Sequence, residues 1–367
     1  MSYARARLWL GISSVGFWVV LSLLGLALGL PQAWVERAAE PGWGSQFSVL
    51  AQALLVYLLL ALPFDLIGGW VLPRRFGRSN ESLPRYGRRW LRGVAVQTVV
   101  LLLCAAWVLA WGRAAGGFGA ALAVFGASLL LLALQTRLAA AVAWARRTRV
   151  GRKLIWESRD PGFAGGWAGL PGAEVEVQPQ HWRELLDDQE LHAQETRRAG
   201  VLATGSRGRA VALALAFNLL GFVLAAQLPG AGVGNAAELI MTGLGFAIWS
   251  FLGLLVLPTP SRSGVYEADH YALQQRVDPE VLIRAARKLD RLQEDEAERA
   301  GGVELIFHPV PSVENRVARL RGAIRARGAH QATRLALYLS WACLGVLARA
   351  VHCNAGRPEV WVLLPSD

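Results

Sequence analysis

The chain has 367 residues, of which 54% are hydrophobic and 18% charged, with a formal net charge of +11 at pH 7. A soluble domain carries roughly 45–50% apolar and about 25% charged residues, so the balance is shifted toward lipid. Arginine supplies most of the positive charge and crowds against the ends of apolar blocks, as topology signals and anionic-lipid contacts do; no nucleic-acid motif accompanies it.

Six apolar blocks have the length of a membrane crossing, about 20 residues. They run over Trp9–Leu30, Phe47–Leu72, Gly93–Gly112, Gly117–Trp144, Arg209–Leu228 and Glu238–Leu257. The first follows Arg5 and Arg7, is too long for a cleaved leader, and reads as a retained signal-anchor. Loop charge alternates. Arg74, Arg75, Arg78, Arg85, Arg88, Arg89 and Arg92 fill the second loop, and Arg146, Arg147, Arg149, Arg152 and Lys153 follow the fourth block. The loop around Glu36, Arg37 and Glu40 has no basic excess, the third has only Arg113, and 229–237 has no Lys or Arg. Basic loops face the cytoplasm, so both termini are expected there, in a bacterial inner membrane. Trp9, Trp34, Trp43, Trp70, Trp90, Trp111 and Trp144 lie near block ends, where amphipathic rings suit the headgroup region. Gly243 and Gly245 allow close helix approach. Asp65 and Arg137 are ionisable groups inside apolar blocks and are expected either to pair or to reach the interface separately.

Two hydrophilic stretches remain. In the first, Gly172–Gln178 alternates as a strand should, and Trp182–Arg198 reads as a charged helix. The second opens with Pro258 and Pro260 and continues as a helix. Asp278 and Pro279 then cap another, with Leu282, Ala286, Leu289 and Leu292 on its apolar face and Gly301-Gly302 at its end. Val303–Phe307 reads as a strand, and Ser312 caps a last basic helix with Val317, Leu320 and Ile324. Leu335–Leu347 is apolar but short, so residues 335–352 are expected to pack on the soluble domain rather than form a seventh span. The cysteines, Cys104, Cys343 and Cys353, have no framework spacing, and His352 beside Cys353 is not a metal site.

The segment Tyr266-Glu267-Ala268-Asp269, with Ala272 three residues on, resembles the third-ligand motif of the M48 membrane zinc metallopeptidases, the CAAX prenyl protease and HtpX group. Other pieces agree in order between about residues 60 and 320. Pro63, Asp65 and Phe76-Gly77-Arg78-Ser79 resemble the second-span loop. Gly165-Gly166-Trp167-Ala168-Gly169 resembles the stretch before the catalytic helix, and His308-Pro309 with Arg316 the late His-Pro…Arg element. The resemblance implies six transmembrane helices with a small cytoplasmic α+β domain of M48 type. Four helices would occupy 1–145, with a basic loop at 74–92, and two would occupy 209–257. The domain would be split between 146–208 and 258–330, with an apolar helix and tail at 331–367.

An active M48 enzyme needs H-E-x-x-H on a helix, two imidazoles one turn apart on zinc and the Glu as general base. This chain has no such motif. After Val201-Leu202-Ala203, where the order places it, stand Thr204-Gly205-Ser206-Arg207-Gly208. Thr204, Gly205 and Gly208 thus mark a degenerate site, with Glu267 as a remnant metal ligand and His308 and Arg316 as remnants of oxyanion stabilisation. Their separation is longer than the family pattern. Glu267 is expected to pair with Arg262 or Arg207 in place of a metal. His192 and Glu195 share a helical face and could join Glu267 in a rearranged site, though a solvated face explains them too; His270 reads as a variable position. The leading expectation is a catalytically inactive pseudopeptidase without a cofactor, in contact with the bilayer and binding a membrane protein or peptide. The alternatives are an active zinc-dependent endopeptidase with a rearranged site, and a small transporter or scaffold using Asp65 and Arg137.

Overall fold

The computed structural model describes every residue except 144–145, 152, 159, 294, 322–326, 342–344 and 364–367. Trp144, Arg152, Ile324 and Cys343, named above, therefore lie outside the described residues. The chain divides into two compact units.

The first unit comprises Met1–Leu134, Leu215–Leu252 and Leu337–Trp361. Helix α1 (Tyr3–Leu28) starts at Ser2, whose hydroxyl accepts from the Arg5 N–H, and a short α2 (Gln32–Ala39) fills the first loop. α3 (Trp43–Leu66) runs through a π-helical turn, Ile67–Val71, into α4 (Leu72–Arg75). α5 (Leu83–Ala143) is 61 residues long but is interrupted by non-helical backbone at Ala115 and Gly116, where the sequence indicated a loop. α8 (Ser206–Ala225) and α9 (Ala236–Val256) follow in later sequence. Among the described residues, five helices are long and apolar enough to cross a membrane, the 61-residue helix counted once. They bury Val49, Val108, Leu109, Ala120, Phe222, Leu239 and Phe246 together. Leu23, Leu59, Leu103, Leu130, Leu224 and Val256 stay exposed on their outer faces. So much exposed aliphatic surface is expected against lipid and not against water.

The stretch 335–352 corrects the expectation that it packs on the soluble domain. α14 (Ala332–Trp341) is too short to span, and Leu337–Trp361 belongs to the first unit. Tyr338 donates its hydroxyl to the Leu131 carbonyl (2.6 Å), and Gln97 Nε2 donates to that of Trp341 (3.2 Å). Beyond it lie single 3-10 turns at Leu347–Arg349 and Pro358–Val360. Residues 347–351, 353–355 and 358–361 are buried. Irregular backbone is tolerated among apolar helices only where its polar groups find partners inside the protein. Here Arg7 supplies them. It donates to the carbonyls of His352 and Ala355, and to that of Gly68 at 2.7 Å.

The second unit comprises Gln135–Ala214, Gly253–Ala336 and the chain from Val362. Its sheet holds β1 (Arg146–Val150), β2 (Lys153–Glu157), β3 (Gly166–Ala168) and β4 (Val175–Pro179), in the order β1-β2-β4-β3. The β2–β4 pair is parallel and the outer two are antiparallel. β4 is the strand that alternation indicated. The single helix expected over Trp182–Arg198 is two, α6 (Trp182–Leu185) and α7 (Asp188–Ala203), because Asp187 and Glu190 form a capping box that starts a new helix. α10 (Pro258–Gln274) and α11 (Pro279–Gln293) follow, and Asp278 caps the latter by accepting from the Glu280 N–H at 2.8 Å. Leu282, Ala286 and Leu289 are buried on α11. Gly301-Gly302 does not end α11. It opens α12 (Gly301–Phe307), so Val303–Phe307 is helix and not strand. Glu304 decides this, since its carboxylate accepts from the Ser312 N–H (3.1 Å) and Asn315 Nδ2 (2.8 Å) and fixes the turn against the next helix. Ser312 caps α13 (Val313–Leu320) as expected.

Candidate functional site: a salt bridge at Glu267

The stretch Thr204–Gly208 does not lie on one helix. α7 ends at Ala203 with Thr204 as its C-cap, Gly205 takes φ +72°, and α8 starts at Ser206. A positive φ is the left-handed conformation that glycine adopts without steric cost, and it ends the helical register. Side chains at 204 and 208 are therefore not one helical turn apart on a common face. Thr204 turns its hydroxyl back to the Gly200 carbonyl (2.8 Å), and Gly205 and Gly208 are exposed.

Glu267 sits on α10, one turn before Tyr271 packs against Gly200 of α7. Its partner is Arg209, not Arg262 or Arg207. Arg209 Nη2 donates to both carboxylate oxygens, at 2.8 and 2.6 Å, and the Gly328 N–H donates to Oε2 at 3.0 Å. Arg209 in turn donates to the carbonyls of Gly328 (2.7 Å) and Thr204 (2.8 Å), so one guanidinium ties the helix joint, Glu267 and the Gly328 backbone together. Arg262 instead closes the end of α12, donating to the carbonyls of Glu304 (2.9 Å), Leu305 (3.0 Å) and His308 (2.8 Å). Arg207 points elsewhere, to the Gly169 carbonyl at 2.8 Å.

Asp269, two residues beyond Glu267, is buried between two arginines. Arg197 of α7 donates to Oδ1 at 2.5 Å, and Arg316 of α13 donates to Oδ2 at 2.9 Å and Oδ1 at 2.8 Å. Burial pushes this carboxyl up, but the charges and hydrogen bonds of Arg316 and Arg197 outweigh it and hold the group below the usual carboxylate range. Arg316 is thus engaged in pinning three helices. His308 is buried and acts as the C-cap of α12, which makes it the end of a helix rather than of a strand. His192 is exposed, 3.5 Å from the Thr196 hydroxyl, while Glu195 pairs with Lys153 (2.7 Å) and accepts from Gln178 (3.3 Å). His270 contacts Gln274 at 3.2 Å.

A zinc ion of the M48 kind does not fit these residues. Thr204, Gly205 and Gly208 offer no imidazole, and both Glu267 oxygens already accept from N–H groups. Among the described residues no cluster of three His, Cys, Asp or Glu side chains stands close enough to hold a metal.

No family model matches the chain, and no curated protein matches it. Among solved structures, the crystal structure of S. mikatae Ste24p is similar, with a TM-score of 0.65 over 87% of this chain and 99% of that one. The chain shares its fold with Ste24p. At 12% sequence identity, fold is what the two have in common. With the apolar helices, the Ste24p fold makes this a multi-pass membrane protein.

Within this Ste24p-like fold, the first unit holds a second charged cluster, in which Asp65 neither pairs with Arg137 nor reaches the interface alone. Arg137 is exposed. Asp65 is buried and takes its charge partner from the far end of the chain, Arg349. Trp90 Nε1 (2.9 Å) and the Gly356 N–H (2.8 Å) complete the carboxylate's bonds, and Gln97 Oε1 accepts from Arg349 at 2.9 Å. No local spacing in the sequence pointed to Arg349. The weak signal was its position: a lone arginine just beyond an apolar run too short to span. His352 and Cys353 lie in the same segment. The His352 carbonyl accepts from Arg7, and Cys353 is buried with its thiol 3.4 Å from Asn354 Oδ1.

Proposed function

We propose that this chain is a pseudopeptidase: an M48-type membrane protein that binds a membrane-protein partner or a peptide and does not cleave it. The observation that carries this reading is the Arg209–Glu267 pair. A cationic side chain holds both oxygens of the carboxylate that the M48 resemblance assigns to the metal, and a backbone N–H adds a third bond. A metal at Glu267 would have to displace Arg209 and leave its guanidinium without a counter-charge. It would also lack two imidazoles, and with them most of the binding free energy that holds zinc in such sites. The left-handed joint at Gly205 supports the same reading, because it removes the helical face such ligands require.

The membrane layout proposed is six crossings: α1, α3, the two halves of α5 on either side of Gly116, α8 and α9. Both termini, the arginine-rich loop at 74–92 and a small α+β domain face the cytoplasm of a bacterial inner membrane. The fold shared with Ste24p, a CAAX prenyl protease of the M48 family, supports the M48 plan.

The test is metal analysis of the purified full chain in detergent, with a membrane-protein proteolysis assay with and without chelator. Zinc far below one per chain and no chelator-sensitive cleavage are expected. One zinc per chain together with chelator-sensitive cleavage would return the protein to the active enzymes.

A further inference from the structure

The first turn of α8 carries Arg207 and Arg209 and no acidic residue. The positive end of the helix macrodipole, equivalent to roughly half an elementary charge, falls on the same turn. Arginine is thus electrostatically misplaced there unless an anion answers it. For Arg209 the anion is Glu267. For Arg207 no bonded anion stands among the described residues. Its side chain is 1% exposed, and its hydrogen bond among the described residues is the one from Nη2 to the Gly169 carbonyl. Its Nε is sealed from solvent with no acceptor among the described residues. Glu174 attracts it from farther away, but that carboxylate accepts from the Gly172 N–H at 2.9 Å.

A guanidinium brings five N–H donors in a fixed plane. Burying it against one neutral carbonyl leaves most of its desolvation uncompensated. The group that satisfies such a fork is an oxyanion, whose two oxygens take two parallel N–H donors. We propose that Arg207 is the centre of an oxyanion-binding site that takes a carboxylate or phosphate group of a ligand. The Gly169 carbonyl already orients the guanidinium. Where an active M48 enzyme would present its metal motif, this chain presents a fixed cation. The proposal deepens the binding role given above and rests on it for the identity of the site. The chemistry follows from Arg207 itself.

The experiment is thermal unfolding of the full-length protein in detergent at constant ionic strength, titrated with inorganic phosphate, with acetate, and with chloride as control. Wild type is expected to show a saturable rise in Tm with phosphate or acetate and none with chloride. Arg207→Met is expected to melt at or above wild type without added anion, because the uncompensated buried charge is gone, and to show no anion response. Arg207→Lys keeps the charge but not the fork, and its response should need roughly tenfold more anion. Short peptides with free and amidated C-termini distinguish a peptide carboxylate from a phosphate as the source. An equal anion response in wild type and Arg207→Met overturns the proposal, and so does the absence of any anion response in wild type. Stoichiometric zinc beside an intact Arg207-dependent response would refute the pseudopeptidase reading alone. No zinc and no Arg207-dependent response would refute the oxyanion site alone.

Discussion

Replacing Arg349 with methionine removes the guanidinium that neutralises Asp65 and leaves that carboxylate in the apolar first unit with only Trp90 Nε1 and the Gly356 N–H. The two side chains are 2% and 3% exposed, so water cannot replace the lost partner. Removing one member of a buried ion pair costs about 3–5 kcal/mol. Arg349 also lies over the Trp361 ring, 4.4 Å from its centroid, which adds about 0.5–2 kcal/mol. The expected loss is therefore about 3.5–7 kcal/mol, a large part of a typical domain's stability. Asp65→Asn should cost about 3–5 kcal/mol for the mirror reason. The double variant should lose less than the sum by at least about 2 kcal/mol, since neither charge is then stranded. Chemical unfolding in detergent gives the four stabilities, and limited proteolysis shows whether residues 347–361 come loose first. Two single variants within about 1 kcal/mol of wild type, or a strictly additive double, would refute the assignment of Asp65 and Arg349 as a mutually dependent pair.

A Cβ at Gly69 would overlap the Gly356 carbonyl oxygen, so Gly69→Ala should destabilise by about 1–3 kcal/mol and speed proteolysis of the C-terminal segment. Arg209→Ala breaks a charge-assisted pair whose arginine side chain is 29% exposed; about 1–2 kcal/mol of loss is expected by thermal unfolding, with Glu267→Gln similar and the two non-additive. Asp269 is held below its ordinary value, so the stability it contributes is complete above about pH 4 and is lost as pH falls through the lower folded value. Asp269→Asn, less stable at neutral pH because Arg197 and Arg316 lose the carboxylate between them, should therefore show a flatter Tm below about pH 4 than wild type.

Length and polarity made the apolar helices readable, because a membrane crossing imposes a fixed run of apolar residues. The local caps at Asp278 and Ser312 were readable too, since a cap and its acceptor lie within three residues. The five residues Val303–Phe307 were not, because a short apolar run fits strand or helix equally, and the tie from Glu304 to Ser312 and Asn315 decides between them. At the candidate site the missing imidazoles were plain in the sequence, but the partner of Glu267 was not. Arg207 and Arg209 are two apart on a helix, hence about 200° apart around its axis. Which of them faces Glu267 depends on where the joint at Gly205 starts the helix, and that phase has no local signature. The Asp65–Arg349 pair spans 284 positions and has no periodicity to betray it.

Arg7 places a condition on how this protein can be made. Its guanidinium sits on α1 just before the first apolar block, yet the His352 carbonyl that receives it lies 345 positions downstream. During synthesis the Gly68 carbonyl, 61 positions on, can meet that charge first, and the His352 carbonyl only after a further 284 residues. A chain stopped before the His352–Ala355 turn would keep Arg7's bonds to Tyr3 and Gly68 but leave it without the carbonyls that seat the late segment against α1.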